Sequence, residues 1–231
     1  MSELDVVKVL GERILNKIPN EIKPQVEFEI KKVETEISLR ADVLSCTGCP
    51  LYQSCTKKVP GIGPIDSPIM LVGESPGSTE DQEGIPFVGP AGEMLNAALN
   101  AIGWKREDLY ITNLIKCYPP ENRNPTQPEI AACFRHLRKE IETVKPKVII
   151  ALGSIAANTL IHPDFKITQE NGHWFELDGG IRTIAVYHPS YLLRLGENTQ
   201  RQIQAKWEVF NALKKVKEYQ DAGFKDINLP F

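Results

Sequence analysis

The chain has 231 residues, of which 42% are hydrophobic, enough to bury one sizeable core. Its net charge of −3 excludes an overall positive field, although a local basic stripe would suffice for binding nucleic acid. Residues 116–147 carry seven basic side chains against four acidic ones. The N-terminus has no apolar run of signal-peptide or membrane length, so we expect a cytoplasmic protein.

The first forty residues are expected to form an extension outside the main domain. Residues 3–17 carry apolar side chains at helical spacing, which predicts a helix. Residues 18–33 hold two prolines and several charges and suggest a linker or an irregular arm, and a second helix is predicted from about Val33 to Leu44. We therefore divide the chain into a helical extension of unknown role, residues 1–40, and a main domain, residues 41–231.

From residue 69 onwards, short apolar runs alternate with amphipathic helical patterns, which is typical of α/β proteins. The order predicts a three-layer α/β/α sandwich around a central four-stranded parallel sheet with right-handed crossovers. A hairpin-like insert, residues 173–177 with a turn at Asp178-Gly179-Gly180, precedes the last strand. The predicted strands are Ile69–Val72, Tyr110–Leu114, Val148–Leu152 and Thr183–Val186, and the predicted helices are Ala91–Ile102, Thr126–Thr143, Ser154–Ile161 and Gln202–Glu218.

A long loop, Gly73–Gly92, joins the first predicted strand to its helix and reads GESPGSTEDQEGIPFVGPAG. Loops of this length inside a compact domain are usually functional. Its glycines allow close approach to a ligand, and the helix that follows offers free N–H groups to an anion. It is neither a Walker loop nor a dinucleotide-binding GxGxxG loop. This loop therefore predicts a binding site of another kind.

Polar residues follow all four predicted strands at their carboxyl ends. Because parallel strands bring these ends to one edge of the sheet, we expect the residues to converge on a single crevice. The four groups are Gly73-Glu74-Ser75, Asn113, Gly153-Ser154 and His188-Pro189-Ser190.

Five cysteines in a reducing compartment favour metal ligation or free thiols over disulfides. Cys46 and Cys49 form a CxxC motif, and fifteen residues separate Cys117 from Cys133. Two such pairs can close a four-thiolate site for tetrahedral zinc or a cubane iron–sulfur cluster, and their spacing does not distinguish the two. Cys55 is the fifth thiol and is predicted to remain unliganded.

Together these motifs resemble family 4 of the uracil-DNA glycosylases, the iron–sulfur members of that superfamily. The resemblance covers roughly residues 45–215 and does not extend to the first forty. It implies an enzyme that hydrolyses the N-glycosidic bond of uracil in DNA and leaves an abasic site. It also implies a 4Fe-4S cluster on Cys46, Cys49, Cys117 and Cys133. The motifs that carry it are Gly73-Glu74-Ser75-Pro76-Gly77, Pro86-Phe87-Val88-Gly89, Asn113, the Cys117-to-Cys133 spacing and His188–Arg194.

The resemblance and the chemistry of uracil suggest a role for each site residue. Phe87 offers an aromatic face to a flipped-out base, and the Asn113 amide can accept from N3–H and donate to O4, which cytosine cannot match. Glu74 is expected to occupy the space beside C5 that the methyl group of thymine needs. His188 is expected to meet the negative charge that develops on O2 of the departing uracil. The catalytic candidates are His188, Asn113 and Glu74, and the substrate-binding candidates are Gly73, Ser75, Phe87, Asn113, Ser154, Ser190, Leu192 and Arg194.

The segment Ser190–Arg194 resembles the loop that enters the duplex as the base leaves. Tyr191 and Leu192 are predicted to wedge between bases. Ser190 and Arg194 are predicted to contact phosphates, as are backbone N–H groups at Gly89–Gly92 and Ser154. Ser75 stands where the best-known uracil-DNA glycosylases have an aspartate that positions water. The resemblance therefore implies a mechanism that relies on stabilising the leaving group.

Two alternatives remain open at this stage. One is a glycosylase for another deaminated base, such as hypoxanthine or xanthine, and the other is a non-catalytic nucleic-acid-binding module with a structural metal. A relative that links covalently to DNA is disfavoured, because no basic, histidine-bearing insert lies between Glu121 and Glu129. The expected partner is uracil-containing DNA, and the expected oligomeric state is a monomer.

Overall fold

The computed structural model describes residues 2–225 and has one central sheet of five strands in the order β2-β1-β3-β5-β4. Strands β2, β1, β3 and β5 run parallel to one another, and β4 pairs antiparallel with β5 at one edge. The strands are β1 Ile69–Gly73, β2 Tyr110–Asn113, β3 Val148–Leu152, β4 Trp174–Leu177 and β5 Ile181–Val186.

The α/β architecture and all four predicted parallel strands are confirmed, but the sheet has five strands instead of four. The fifth strand, β4, is the first arm of the predicted hairpin-like insert, and it pairs with β5 from Trp174↔Ile184 to Leu177↔Ile181. Its Trp174 side chain is buried and packs edge-on against Tyr219, with ring centroids 5.7 Å apart. This burial explains why the insert joins the sheet as an edge strand.

Helices cover both faces of the sheet, because alternate residues of each strand point to opposite sides. Leu71 and Ile150 belong to the core that faces α4, α8 and α9, whereas Met70 and Ile149 belong to the core that faces α5 and α6. None of the helices described between residues 2 and 225 is both long enough and apolar enough to span a membrane. The helices are α1 Glu3–Leu15, α2 Lys23–Leu44, α3 Ser78–Glu83, α4 Pro90–Ala101, α5 Gln127–Val144, α6 Ser154–Leu160, α7 Ile167–Glu170, α8 Pro189–Arg194 and α9 Gln200–Asp221.

The prediction of an irregular arm at residues 18–33 is wrong, because α2 already begins at Lys23. Pro24 lies in the first turn of the helix, where its missing N–H group would have had no helical partner. Helix α2 packs against α1, and Leu39 and Val43 in its C-terminal half are buried. Helix α2 also contacts α5, so it continues across residue 40 into the main body of the protein.

Candidate active site and cysteine cluster

A cleft of about 750 Å³ opens at the carboxyl edge of the sheet. Residues after β1, β2, β3 and β5 all line it, which confirms the predicted convergence of the strand ends. The predicted residues in its wall are Glu74, Ser75, Phe87, Asn113, Ser154, His188, Ser190 and Arg194.

The loop that follows β1 is held together by the buried carboxylate of Glu80, near the start of α3. One of its oxygens accepts hydrogen bonds from the N–H groups of Val88 and Gly89, at 2.9 and 2.8 Å. The other oxygen accepts from the N–H of Gly77 at 3.0 Å. One side chain therefore ties the first half of the loop to the second half.

Phe87 adopts a backbone conformation that a bulky residue rarely takes, with φ at +52°. The guanidinium of Arg106 donates to the carbonyl oxygen of Phe87 at 2.8 Å and to that of Pro86. Gly92 leaves room for this turn, because a Cβ atom there would lie 2.0 Å from the Phe87 carbonyl oxygen. Strain of this kind persists only where the surroundings enforce it, and it is concentrated at functional sites.

The Phe87 ring and the Asn113 amide meet beside Gly73, and the His188 ring lies next to the Phe87 ring. A Cβ atom built on Gly73 would lie 2.5 Å from Phe87 Cζ and 2.3 Å from Asn113 Oδ1. The Phe87 and His188 ring centroids are 5.8 Å apart and tilted by 37°. Gly73 therefore acts through its lack of a side chain, which lets these groups approach each other.

Asn113 ends β2 and is 1% exposed. Within residues 2–225, its Oδ1 atom has no hydrogen-bond partner. An unpaired buried acceptor costs about 1–3 kcal/mol, so this oxygen is suited to accept a hydrogen bond from a ligand.

His188 precedes α8 and has a defined tautomer. The backbone N–H of Ser190 lies 3.2 Å from Nδ1, and since an N–H can only donate, Nδ1 is the acceptor and the neutral ring carries its proton on Nε2. The Ser190 hydroxyl also lies 2.8 Å from Nδ1 and itself accepts from Arg194 at 3.2 Å. Burial, assisted by the positive charge of Arg194, lowers the pKa of His188 to about 4. His188 is therefore a neutral donor at physiological pH.

Glu74 lies in the cleft wall and is partly buried. Burial raises the pKa of its carboxyl group above the ordinary value, and the charge of Arg194 opposes this shift. Its backbone carbonyl accepts from the N–H of Ile115 at 3.1 Å, and that of Gly73 accepts from Leu114 at 2.9 Å. The loop after β2 therefore fixes the start of the loop after β1.

Four cysteines line a second, small cavity on the side of the protein that carries α2 and α5. Its wall contains Cys46, Cys49, Cys117 and Cys133, together with the apolar side chain of Val43. Cys55 packs against the same cluster from outside that wall. Among residues 2–225, no three Cys, His, Asp or Glu side chains converge closely enough to hold a single metal ion.

The sequence model of the uracil DNA glycosylase superfamily matches residues 60–214. The chain belongs to this superfamily. A type-4 uracil-DNA glycosylase of Thermotoga maritima is 43% identical over 178 residues, which cover 77% of this chain and 90% of the relative. Those of Archaeoglobus fulgidus and Pyrobaculum aerophilum are 41% and 40% identical, each over 66% of this chain and over 80% and 81% of the relative. The resemblance to the family 4 enzymes is confirmed.

In this member of the uracil-DNA glycosylase superfamily, Leu192 does not occupy the position that its predicted wedge role requires. It is 3% exposed and belongs to the core between α4 and α9, because α8 is a helix that turns this side chain inward. The next residue, Leu193, is 40% exposed and lines the cleft with Tyr191. The apolar side chains available at the rim are therefore Leu193 and Tyr191.

Several residues in the cleft wall of this uracil-DNA glycosylase were not identified from the sequence. One of them is Glu80. Its position three residues after Gly77 has the spacing of a capping box, which is the sequence signal that could identify it. Tyr118, Asn122 and Asn124 lie on the loop after β2 and carry no comparable local pattern.

Proposed function

We propose that this protein removes uracil from DNA by hydrolysing its N-glycosidic bond, leaving an abasic site. The observation that carries the proposal is the buried Asn113 Oδ1, which has no hydrogen-bond partner in the part of the chain that the structure describes and lies beside an aromatic ring and a neutral histidine donor. The named type-4 relatives support the same activity. The cleft suits a base that has been turned out of the duplex, since a glycosylase cannot reach its bond while the base is stacked.

Recognition follows from the hydrogen-bonding pattern of the base edge. Asn113 Oδ1 accepts from N3–H of uracil and Nδ2 donates to O4, whereas cytosine presents an acceptor at N3 and a donor at C4. Phe87 stacks on the base and replaces part of the stacking lost from the duplex. Glu74 lies beside C5 and leaves no space for the methyl group of thymine.

Catalysis rests on stabilising uracil as it leaves with the bonding electron pair. The Nε2–H group of His188 donates to O2, where negative charge develops as the bond breaks, and this interaction strengthens toward the transition state. Ser75, the residue after Glu74, is not a carboxylate and cannot act as a base toward water. The carboxylate of Glu80 is not available for this role either, because it already accepts hydrogen bonds from three backbone N–H groups. Water therefore attacks the sugar late, after most of the bond has broken.

Four polar residues that line the cleft are assigned to the DNA backbone, namely Ser75, Ser154, Ser190 and Arg194. Hydroxyl and guanidinium groups are common phosphate ligands, and such contacts fix orientation without reading sequence. Leu193 and Tyr191 take the wedge role at the rim in place of Leu192. The protein is proposed to act as a monomer, with residues 1–40 as an accessory extension that α2 joins to the main body.

The four cysteines are assigned to a 4Fe-4S cluster. The donor set fits this group, because four thiols line one cavity, and a cluster binds each thiolate through a separate iron. A tetrahedral zinc ion is the other group that four thiolates bind, and the metal content of the protein distinguishes the two. The cluster would join α5, the loop after β2 and the segment that follows α2.

The activity is tested with single-turnover assays on oligonucleotides that contain one uracil, hypoxanthine or cytosine. We expect abasic sites from the uracil substrate and none from the cytosine substrate. Excision of hypoxanthine in preference to uracil would indicate the alternative glycosylase. DNA binding without release of any base would indicate a non-catalytic module, and the proposal would then be withdrawn.

The cluster is tested by the colour of the purified protein. We expect broad absorption near roughly 400 nm from sulfur-to-iron charge transfer, with four irons per chain. Cys117→Ser is expected to lose this absorption, and Cys55→Ser, a matched change at a neighbouring thiol, is expected to retain it. Colourless wild-type protein with stoichiometric zinc would contradict the assignment.

The pH dependence of excision reports the protonation state of His188. Because the pKa of His188 is about 4, the ring stays neutral as the pH falls through about 6.5, where an ordinary histidine gains a proton. We therefore expect no His188-dependent inflection between about pH 6 and about pH 8. Since Glu74 also titrates in the cleft, the measurement compares the wild-type profile with that of His188→Gln. An inflection near 6.5 that this substitution removes would contradict a neutral donor.

A further inference from the structure

A buried ion pair lies directly behind the proposed base-reading site. The Nζ atom of Lys116 and the Oε2 atom of Glu140 are 2.7 Å apart, and both residues are 2% exposed. Lys116 belongs to the loop after β2, and Glu140 belongs to α5.

All three protons of the Lys116 ammonium group are used. Besides Glu140, Nζ donates to Thr112 Oγ1 at 2.5 Å and to the backbone carbonyl of Asn113 at 2.8 Å. Glu140 is equally engaged, since it also accepts from Thr112 Oγ1 at 2.9 Å and from the N–H of Gly61 at 3.2 Å. A charged donor thus holds the peptide group of the residue whose side chain faces the base.

Stability alone does not account for this pair. Removing two charges from water offsets most of their mutual attraction, so a buried ion pair often stabilises a fold no more than apolar residues of the same volume. A charged donor does fix the position of its acceptor more strongly than a neutral one. The acceptor here is the carbonyl of Asn113, whose side-chain Oδ1 has no partner of its own among residues 2–225. The hydrogen bond from Lys116 to the Asn113 carbonyl therefore helps to position Asn113 Oδ1, which itself accepts no hydrogen bond within residues 2–225.

We propose that Lys116, held by Glu140, is a positioning residue that orients Asn113 and thereby sets its affinity for uracil. The inference rests on the proposed function, because it assumes that Asn113 reads the base. Hydrogen bonds weaken steeply when their geometry is lost, so a small displacement of the Asn113 peptide is enough to weaken both contacts to uracil. DNA that lacks the base makes no contact with Asn113 and does not sense this displacement.

The test uses the double variant Lys116→Met/Glu140→Gln in the full chain. The neutral pair leaves no unpaired charge, and the glutamine side chain introduced by Glu140→Gln can still bind Gly61 and Thr112, but the Asn113 carbonyl loses its donor. The matched control is Lys139→Met/Asp42→Asn, which neutralises an exposed ion pair between α5 and α2 next to Glu140. Inhibition by free uracil, affinity for abasic-site DNA, the excision rate and the melting temperature are measured for each protein.

In the Lys116→Met/Glu140→Gln variant, we expect the inhibition constant of free uracil to rise by about 10-fold and the excision rate to fall by at least as much. Affinity for abasic-site DNA is expected to stay within about 2-fold, because that ligand has no base for Asn113 to read. The control is expected to match the wild type in all measurements. A loss confined to ligands that carry the base distinguishes positioning from general damage to the fold.

The proposal is overturned if uracil inhibition is unchanged in the double variant, or if affinity for abasic-site DNA falls in parallel with it. Should the double variant not fold, Thr112→Val removes a partner of both charged groups without leaving a charge unpaired. This variant is expected to weaken uracil inhibition in the same direction, and an unchanged inhibition constant would likewise overturn the proposal. If the wild type neither excises uracil nor is inhibited by it, the proposed function itself fails.

Discussion

Replacing His188 with alanine is expected to slow single-turnover excision of uracil by about 100- to 1,000-fold. The Nε2–H donor acts on charge that exists only as the glycosidic bond breaks, so its loss raises the barrier and changes ground-state binding little. The measurement compares the excision rate at saturating enzyme with the dissociation constant of a non-cleavable uracil oligonucleotide.

Ser190→Ala is the matched comparison for this effect. It removes the hydroxyl that lies 2.8 Å from His188 Nδ1, but the backbone N–H of residue 190 remains to hold the same nitrogen. The tautomer is therefore retained, and a smaller loss of rate than in His188→Ala is expected. If His188→Ala weakens DNA binding and spares the excision rate, the donor role assigned to His188 is wrong.

The parallel strands could be predicted because a strand buried on both faces appears as a continuous apolar run. Ile69–Val72 and Val148–Leu152 are such runs, and both lie at the centre of the sheet. Strand β4 is less evident, because an edge strand needs only one buried face and is fixed by pairing with β5. The start of α2 is not evident from the sequence, because two prolines and several charges in residues 18–33 suggest a linker, although the first turn of a helix tolerates proline.

The site residues at the strand ends could be predicted because topology alone brings them together. The residues that hold them in place could not, because their partners are distant in sequence. Arg106 binds the carbonyl of Phe87 and Glu140 binds Lys116, contacts that span 19 and 24 residues. The sequence also does not reveal which of Leu192 and Leu193 is buried, because the orientation of a six-residue helix decides which of two adjacent side chains faces the core.

Replacing Asn113 with aspartate is expected to reduce uracil excision by about 10- to 100-fold and to permit excision of cytosine. An ionised carboxylate cannot donate to O4 of uracil, which leaves one contact unpaired. Burial raises the pKa of a carboxyl group at this position, which is 1% exposed in the wild type. The protonated form can donate to N3 of cytosine and accept from its amino group.

Because the cytosine contact requires the protonated carboxyl group, cytosine excision by Asn113→Asp should rise as the pH falls. Its uracil excision should rise as well, since the protonated group can also accept from N3–H and donate to O4 of uracil. Asn124→Asp adds the same charge elsewhere in the cleft wall, so any loss common to both variants reflects repulsion of DNA phosphates. Rates on matched oligonucleotides with uracil or cytosine opposite guanine provide the measurement. If Asn113→Asp excises uracil at the wild-type rate and still rejects cytosine, another residue reads the base.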